Sequence, residues 1–134
     1  MGWWSLIAAT LAQVVIGFLW YGPLFGKTWM NLSGIKRPSK IDSKVKKRMF
    51  SSYAVSLVFS FIAAYVIKII LIKFQFASLG GVAFVMFIMW LGFNVPVLLG
   101  SMLWEGKSSK LFALNTLYYL VSYIVMAWIL LLNF

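Results

Sequence analysis

The chain has 134 residues, of which 63% are apolar, and a mean hydropathy of +0.97, so it carries more apolar surface than a soluble domain of this length can bury. It contains no Cys and no His, which excludes disulfides, thiolate nucleophiles, imidazole bases and the usual zinc ligands. The net charge is +10, and because eight of the twelve Lys and Arg lie in residues 27–48, this basic block favours an anionic membrane surface over nucleic acid as its partner.

Four apolar segments are long enough to cross a bilayer, whose hydrocarbon core of roughly 30 Å takes about 20 helical residues. They cover residues 3–22, 49–72, 79–104 and 111–133. The first has no basic start and no small-residue cleavage site, so we interpret it as a span rather than a signal peptide. We therefore expect one all-α domain over residues 1–134, with four transmembrane helices in a compact antiparallel bundle and a basic loop at 23–48.

The first span ends in the stretch WYGPLFGKTW, residues 20–29. Gly22 and Pro23 are expected to end the helix, and Pro23 to open a short interfacial helix that Gly34 closes. One interpretation is a helix end surrounded by aromatic rings and a snorkelling Lys27. The other is that backbone N–H groups near Gly22 and Gly26 act with Lys27 to bind an anionic headgroup. The candidate lipid- or ligand-binding residues are Trp20, Tyr21, Gly22, Gly26, Lys27 and Trp29.

The second span is expected to begin before the membrane, because Ser39, followed by Asp42 three residues later, matches a helix N-cap pattern. At its far end, Lys68 and Lys73 can extend their ammonium groups to the headgroups. Ten of the twelve basic residues then lie in the first and third loops and two at the opposite side. This asymmetry predicts that the first and third loops are cytoplasmic and that both termini lie outside.

Polar residues near the middle of the spans form a second group of candidates. At 1.5 Å of rise per residue, Gln13, Ser60, Asn94 and Ser122 all lie about 14–18 Å from the ends nearest the basic loop, which places them close to the midplane. This layer is either a set of hydrogen bonds that holds the helices in register or the lining of a small hydrated site. The intramembrane polar candidates are Gln13, Ser60, Asn94, Pro96, Asn115, Tyr119 and Ser122.

Small or weakly polar residues recur along each span at the spacing typical of helix contacts in membranes. In span three, Gly92, Pro96 and Gly100 share one edge, while Asn94 points about 160° away, which predicts contacts on two sides. Pro96 cannot donate to the carbonyl of Gly92. The result is either a tolerated kink or a free carbonyl that faces a ligand or ion together with Asn94.

Glu105 is the only acidic residue apart from Asp42, and it stands at the inner end of span three. A carboxylate in a short basic loop is usually solvated. A functional role would require it to turn inward, towards Lys27 or Asn115.

Three segments resemble a widespread bacterial family of small four-helix membrane proteins, domain of unknown function seventeen sixty-one. They read GFLWYGPLFGKTWM in span one, WLGFNVPVLLG in span three and LWEGKSSKLFALNTLYYLVSYIVMAWIL across span four. The resemblance covers nearly the whole chain and implies a multi-pass protein of the bacterial inner membrane without an assigned activity. The family-like positions are Trp20, Tyr21, Gly22, Pro23, Phe25, Gly26, Lys27, Trp29, Gly92, Pro96, Glu105, Gly106, Lys110, Asn115 and Tyr119.

Two classes of function remain after an enzyme is set aside, since the chain has no nucleophile motif and no paired carboxylates. The favoured class is a non-catalytic membrane module that binds lipid or partner proteins, without a metal or cofactor. The alternative is a small oligomeric transporter or channel for a neutral or anionic solute, because no span core contains the acid that proton-coupled cation export needs. A bundle of this size is expected to form a homo-oligomer, with polar surface such as Asn94 at the contact.

Overall fold

The computed structural model describes residues 3–34, 42–76 and 78–132. These residues are almost entirely helical, and no strand occurs among them. They include four helical stretches long and apolar enough to cross a membrane, which we call spans one to four: Trp3–Leu24, Ser43–Phe74, Leu79–Leu103 and Ser109–Leu132. The predicted all-α architecture with four membrane-spanning helices is therefore confirmed.

Two of the four spans contain a π-helical segment, in which the backbone widens to include an extra residue. Span one consists of α1 and the first π-helical segment; α2 follows it. Span two is α3, span three runs from α4 through the second π-helical segment into α5, and span four is α6. Their bounds are α1 Trp3–Leu19, first π-helical segment Trp20–Leu24, α2 Gly26–Ser33, α3 Ser43–Phe74, α4 Leu79–Met89, second π-helical segment Trp90–Asn94, α5 Val95–Leu103 and α6 Ser109–Leu132.

The prediction that Gly22 and Pro23 end the first helix is wrong, because the helix continues through both residues to Leu24 as a π-helical segment. A proline ring clashes with the carbonyl four residues earlier in an α-helix, and the wider π turn moves that carbonyl away. The segment ends where the backbone N–H of Phe25 donates to the carbonyl of Trp20 over 2.9 Å. The short helix therefore begins at Gly26 rather than Pro23, and Gly34, at φ 75°, ends it as predicted.

The second span begins early, as expected, but its observed cap is Asp42. The carboxylate of Asp42 accepts a hydrogen bond from the backbone N–H of Val45 over 2.9 Å, which satisfies one of the free donors of the first turn of α3. Ser39, the predicted cap, lies outside the described residues. On the far side, Ser78 caps α4 by accepting from the N–H of Gly81 over 3.1 Å.

The main cluster of the hydrophobic core occupies one half of the bundle. In the described part of the chain, α1, α3 and α6 pack against one another, and span three packs mainly against α6. The half that contains Trp3, Leu132 and the α3–α4 connection is called the terminal half, and the other the basic-loop half. The residues of this main cluster all lie in the terminal half: Leu6, Ala9, Ala64, Ile67, Leu71, Val82, Met86, Met126, Ala127 and Leu130, whereas Leu111 and Leu114 are buried in the basic-loop half.

The stripes of small residues are only partly used for packing inside the bundle. In α1, Ser5, Ala9 and Gln13 are buried, as the spacing predicts. In α3, Ser60 and Ala64 are buried, whereas the first half of the helix is largely exposed to the surroundings of the protein.

Span three does not use its glycine edge for packing inside the bundle. Gly92 and Pro96 are exposed, and no atom lies within 4 Å of the position that a Cβ on Gly92 would take. The side chains that span three buries are Val82 and Met86 instead. The reason is that these larger apolar residues fill the terminal half against α6, which leaves the glycine edge facing outward.

Candidate functional site

Three of the four predicted midplane residues are buried in the bundle. Gln13, Ser60 and Ser122 expose 7%, 9% and 0% of their surface. The side-chain oxygen Oε1 of Gln13 has no hydrogen-bond partner in the described part of the chain. Asn94 does not join them: it is half-buried on span three and lies beside the hydroxyl of Tyr123. The predicted layer therefore brings together three helices rather than four.

A cavity of about 740 Å³ lies between the helices in the basic-loop half. Its volume falls within the range of roughly 300–1,000 Å³ that is typical of small-molecule sites. The main cluster of the hydrophobic core does not extend into this half, so the helices leave a space between them here. The described residues that line it are Val14, Gly17, Phe18, Tyr21, Gly22, Trp29, Tyr53, Ser56, Ser60, Leu98, Asn115, Tyr118 and Tyr119.

The central polar contact of the cavity joins spans one and four. The hydroxyl of Tyr21 donates a hydrogen bond to Oδ1 of Asn115 over 2.7 Å. Nearby, the hydroxyl of Tyr118 donates to the backbone carbonyl of Gln13 over 3.3 Å. These bonds occupy the Tyr21 and Tyr118 hydroxyl hydrogens and the Asn115 carbonyl, so the Asn115 amide N–H groups remain as donors.

Aromatic rings form a continuous wall along one side of the cavity. The ring of Tyr21 meets those of Trp29 and Tyr118 edge-to-face, at centroid distances of 5.5 Å and 5.3 Å. Tyr118 in turn contacts the ring of Tyr119 at 5.1 Å. Aromatic rings at these distances and angles attract one another through their quadrupoles, so the wall is held together by its own contacts.

Two tryptophans fix the π-helical segments to the same stretch of α6. The indole N–H of Trp20 donates to the carbonyl of Leu114 over 3.1 Å, and that of Trp90 donates to the carbonyl of Thr116 over 2.7 Å. Each tryptophan is the first residue of its π-helical segment. Spans one and three are therefore anchored to span four at nearly the same level, next to the cavity.

The residues of WYGPLFGKTW have different roles. Tyr21, Gly22 and Trp29 line the cavity. Gly26 is buried, and a Cβ at this position would lie only 2.7 Å from the carbonyl oxygen of Tyr21, so Gly26 allows α2 to fold back closely on the first π-helical segment. The side chain of Lys27 is exposed and is not among the described residues that line the cavity.

The other predicted candidates lie away from the cavity. Pro96 follows the second π-helical segment, in the first turn of α5, where it is exposed and is not among the described residues that line the cavity. The carboxylate of Glu105 lies 3.6 Å from the ammonium of Lys107, and both side chains are more than half exposed. Asn115 and Tyr119, in contrast, lie at the cavity as family-like positions of span four.

Seven of the thirteen described lining residues were not among the predicted site residues: Val14, Gly17, Phe18, Tyr53, Ser56, Leu98 and Tyr118. A signal for Tyr53 was present, since it stands three residues before Ser56 and seven before Ser60 in the sequence, a spacing that places all three on one face of a helix. No such signal exists for Leu98, because the distance between spans two and three depends on how the whole bundle packs.

This arrangement is that of a multi-pass membrane protein with four helical spans and an internal cavity. The chain belongs to the family described as protein of unknown function (DUF1761), whose model matches residues 4–131. No curated protein and no solved structure matches the chain. Membership confirms the resemblance seen in the sequence motifs, and the family has no assigned activity.

Proposed function

We propose that the protein is a non-catalytic membrane module that binds a lipid or lipid-like molecule in the cavity of the basic-loop half. The observation that carries this proposal is the placement of the cavity. The apolar core fills the terminal half, whereas the basic-loop half contains a space of about 740 Å³ with hydrogen-bonding groups in its wall.

The composition of the wall supports an amphipathic ligand. Phe18, Val14 and Leu98 are apolar, while Asn115 and Ser60 supply an amide and a hydroxyl. Such a mixture of apolar surface with a few polar groups is typical of sites that hold and orient small molecules. A lipid reaches this cavity from the bilayer, because α3 and α5 make no substantial contact with each other in the described part of the chain.

The proposal also covers the contacts of the protein with lipid headgroups and with a second copy of the chain. The described basic residues of the 27–48 block lie next to the same half of the bundle, namely Lys27, Lys44, Lys46, Lys47 and Arg48. The block is proposed to face anionic headgroups of the cytoplasmic leaflet. Span three is proposed to contact a second copy of the chain, since Gly92 has no neighbour within 4 Å of a Cβ position and small residues favour helix association in lipid.

The test fills the cavity with a large side chain. Purified protein in native lipid nanodiscs is examined by native mass spectrometry, which reports bound lipids and the number of chains. Ser56 lines the cavity and is exposed to it, so Ser56→Phe is expected to remove the tightly bound molecule. Ser52 stands one turn earlier on α3 and does not line the cavity, so Ser52→Phe is the matched control.

Retention of the same molecule by Ser56→Phe, or equal loss from both variants, would contradict binding in the cavity. A spectrum that contains monomers only would contradict the homo-oligomer.

A small carrier for a neutral or anionic solute is the second candidate. It is favoured by the two π-helical segments beside the cavity, because such segments often occur at functional sites. Flux of the bound molecule into proteoliposomes, abolished by Ser56→Phe but not by Ser52→Phe, would identify a carrier. Binding without flux would leave the membrane module as the function.

A further inference from the structure

The donors and acceptors in the cavity wall restrict the ligand that it can hold. Oδ1 of Asn115 already accepts from the hydroxyl of Tyr21. In the described residues, no protein group accepts from the Asn115 amide nitrogen or bonds the hydroxyl of Tyr119. Ser56 and Ser60 add two hydroxyls, although serine hydroxyls in helices can also bond their own backbone. The Asn115 amide N–H groups are donors and the three hydroxyls can each donate or accept, so a ligand with acceptor oxygens can bond to all of these groups.

Charge restricts the ligand further. Among the residues that the structure describes, those lining the cavity include no Lys, Arg, Asp or Glu. An ion buried among uncharged groups pays a large desolvation cost without a counter-charge. Aromatic faces attract cations, but Lys44, Lys46, Lys47 and Arg48 at the start of α3 lie at the same end of the bundle and oppose a cation. A ligand with an uncharged head group is therefore the one that fits the cavity.

The shape of the cavity and its opening to the bilayer restrict the ligand further. The wall of Trp29, Tyr21, Tyr118 and Tyr119 presents successive rings with centroid distances of 5.1–5.5 Å, against which a flat ring can stack. Tyr53 and Leu98, which also line the cavity, come from spans that make no substantial contact with each other in the described part of the chain. A hydrocarbon chain can leave between them into the bilayer.

We propose that the cavity binds a neutral amphiphile whose head is a flat ring with carbonyl oxygens, as in a quinone, and whose hydrocarbon chain leaves between α3 and α5. The Asn115 amide donates to one carbonyl oxygen, the Tyr119 hydroxyl donates as well, and the aromatic wall stacks on the ring. This inference rests on the proposed function, in that it names the class of molecule that occupies the same cavity.

The experiment uses three amphiphiles whose chains contain ten carbons in nanodiscs of uncharged lipid: a decyl-substituted benzoquinone, decanoate and decyltrimethylammonium. Quinones quench tryptophan fluorescence, and Trp29 stands in the cavity wall, so saturable quenching reports binding. The other two amphiphiles are tested as competitors. The full-length protein is expected to bind the quinone saturably, and neither charged amphiphile is expected to displace it.

Variants separate cavity binding from quenching within the lipid. Asn115→Leu removes the amide donors and is expected to weaken quinone binding about tenfold, as for the loss of one well-formed buried hydrogen bond. Asn94→Leu is the matched control, because Asn94 is an intramembrane amide outside the cavity wall, and it is expected to bind like the parent chain. Tyr119→Phe keeps the ring and removes a hydroxyl, so it tests the same idea with a smaller change.

The outcomes distinguish the two proposals. Decanoate or decyltrimethylammonium could displace the tightly bound molecule of the native nanodiscs while the quinone shows no saturable binding. This result would overturn the proposal of a neutral ring-containing ligand but leave lipid binding in the cavity in place. Equal quinone affinity in the parent chain, Asn115→Leu and Tyr119→Phe would also overturn it. If no amphiphile binds and Ser56→Phe changes nothing, the proposed function itself fails.

Discussion

Glycine has two different uses in the stretch that joins span one to α2. At Gly26 a Cβ would lie 2.7 Å from the backbone carbonyl oxygen of Tyr21, whereas at Gly22 it would meet no atom within 4 Å. The first distance is shorter than any ordinary contact, and a backbone oxygen cannot turn aside as a side chain can. Gly26 is therefore required by close packing, and Gly22 is not.

We expect Gly26→Ala to lower the free energy of unfolding by about 1–3 kcal/mol, the usual cost of forcing an extra carbon into a packed position. Gly22→Ala should be neutral or slightly stabilising, because alanine restricts the unfolded chain more than glycine does. Equilibrium unfolding of both variants in mixed micelles provides the comparison. Equal stability of the two variants would show that α2 does not fold back on span one as closely as described.

Asn115 shows how far a single residue can be interpreted from sequence. Its place near the inner end of a span marked it as a candidate, as did its position in the family-like segment. Its partner, Tyr21, stands 94 positions away in the sequence, and the pairing depends on how spans one and four rotate against each other. The residue was predictable as intramembrane and polar, but its hydrogen bond was not.

At the scale of elements, the two π-helical segments are the main difference between expectation and structure. The presence of Pro23 in span one and of Pro96 in span three indicated that regular α-helix is disturbed in both spans. It did not indicate that the chain would absorb the disturbance by widening, nor that the preceding tryptophans, Trp20 and Trp90, would each donate to a carbonyl of α6. The four helices and their approximate bounds were predictable from hydropathy, because they depend on the length and the composition of each apolar segment.

We expect Trp90→Phe to destabilise the bundle by about 0.6–1.7 kcal/mol, the range measured for hydrogen bonds between membrane helices. The value should lie near the lower end, because the Thr116 carbonyl still accepts its own helical bond. Trp104→Phe is the control: the Trp104 side chain is 87% exposed, and in the described residues its indole donates to no protein group. Unfolding in detergent compares the two variants.

A Trp90→Phe protein as stable as Trp104→Phe would mean that the indole bond does not hold span three in place. Because Trp20 anchors span one to the same stretch of α6, the double variant Trp20→Phe with Trp90→Phe also tests whether the two anchors act independently.

At the scale of the whole molecule, the bundle is asymmetric in both packing and charge. The apolar core fills the terminal half, while the cavity and most basic residues lie at the other end. The charge asymmetry was visible in the sequence, since it requires only the positions of Lys and Arg. The packing asymmetry was not, because small residues at helical spacing on all four spans predicted a compact bundle without indicating where it would be less tightly packed.

The charge asymmetry yields a prediction of orientation. Lys and Arg are retained on the cytoplasmic side of membrane proteins, so we expect the basic loop and the α5–α6 connection inside the cell and the α3–α4 connection outside. The chain has no Cys, so a single introduced cysteine is a clean reporter. Phe74, at the end of α3, is 67% exposed, and Lys107 stands in the opposite loop with an exposed side chain.

In intact cells, a membrane-impermeant maleimide should label Phe74→Cys at once and Lys107→Cys only after the cells are broken. The reverse pattern would place the basic block outside, away from the anionic headgroups proposed to face it, and the cavity would then open towards the opposite leaflet. Labelling of both positions in intact cells would indicate a mixed population of orientations, which a bias of ten basic residues against two is expected to prevent.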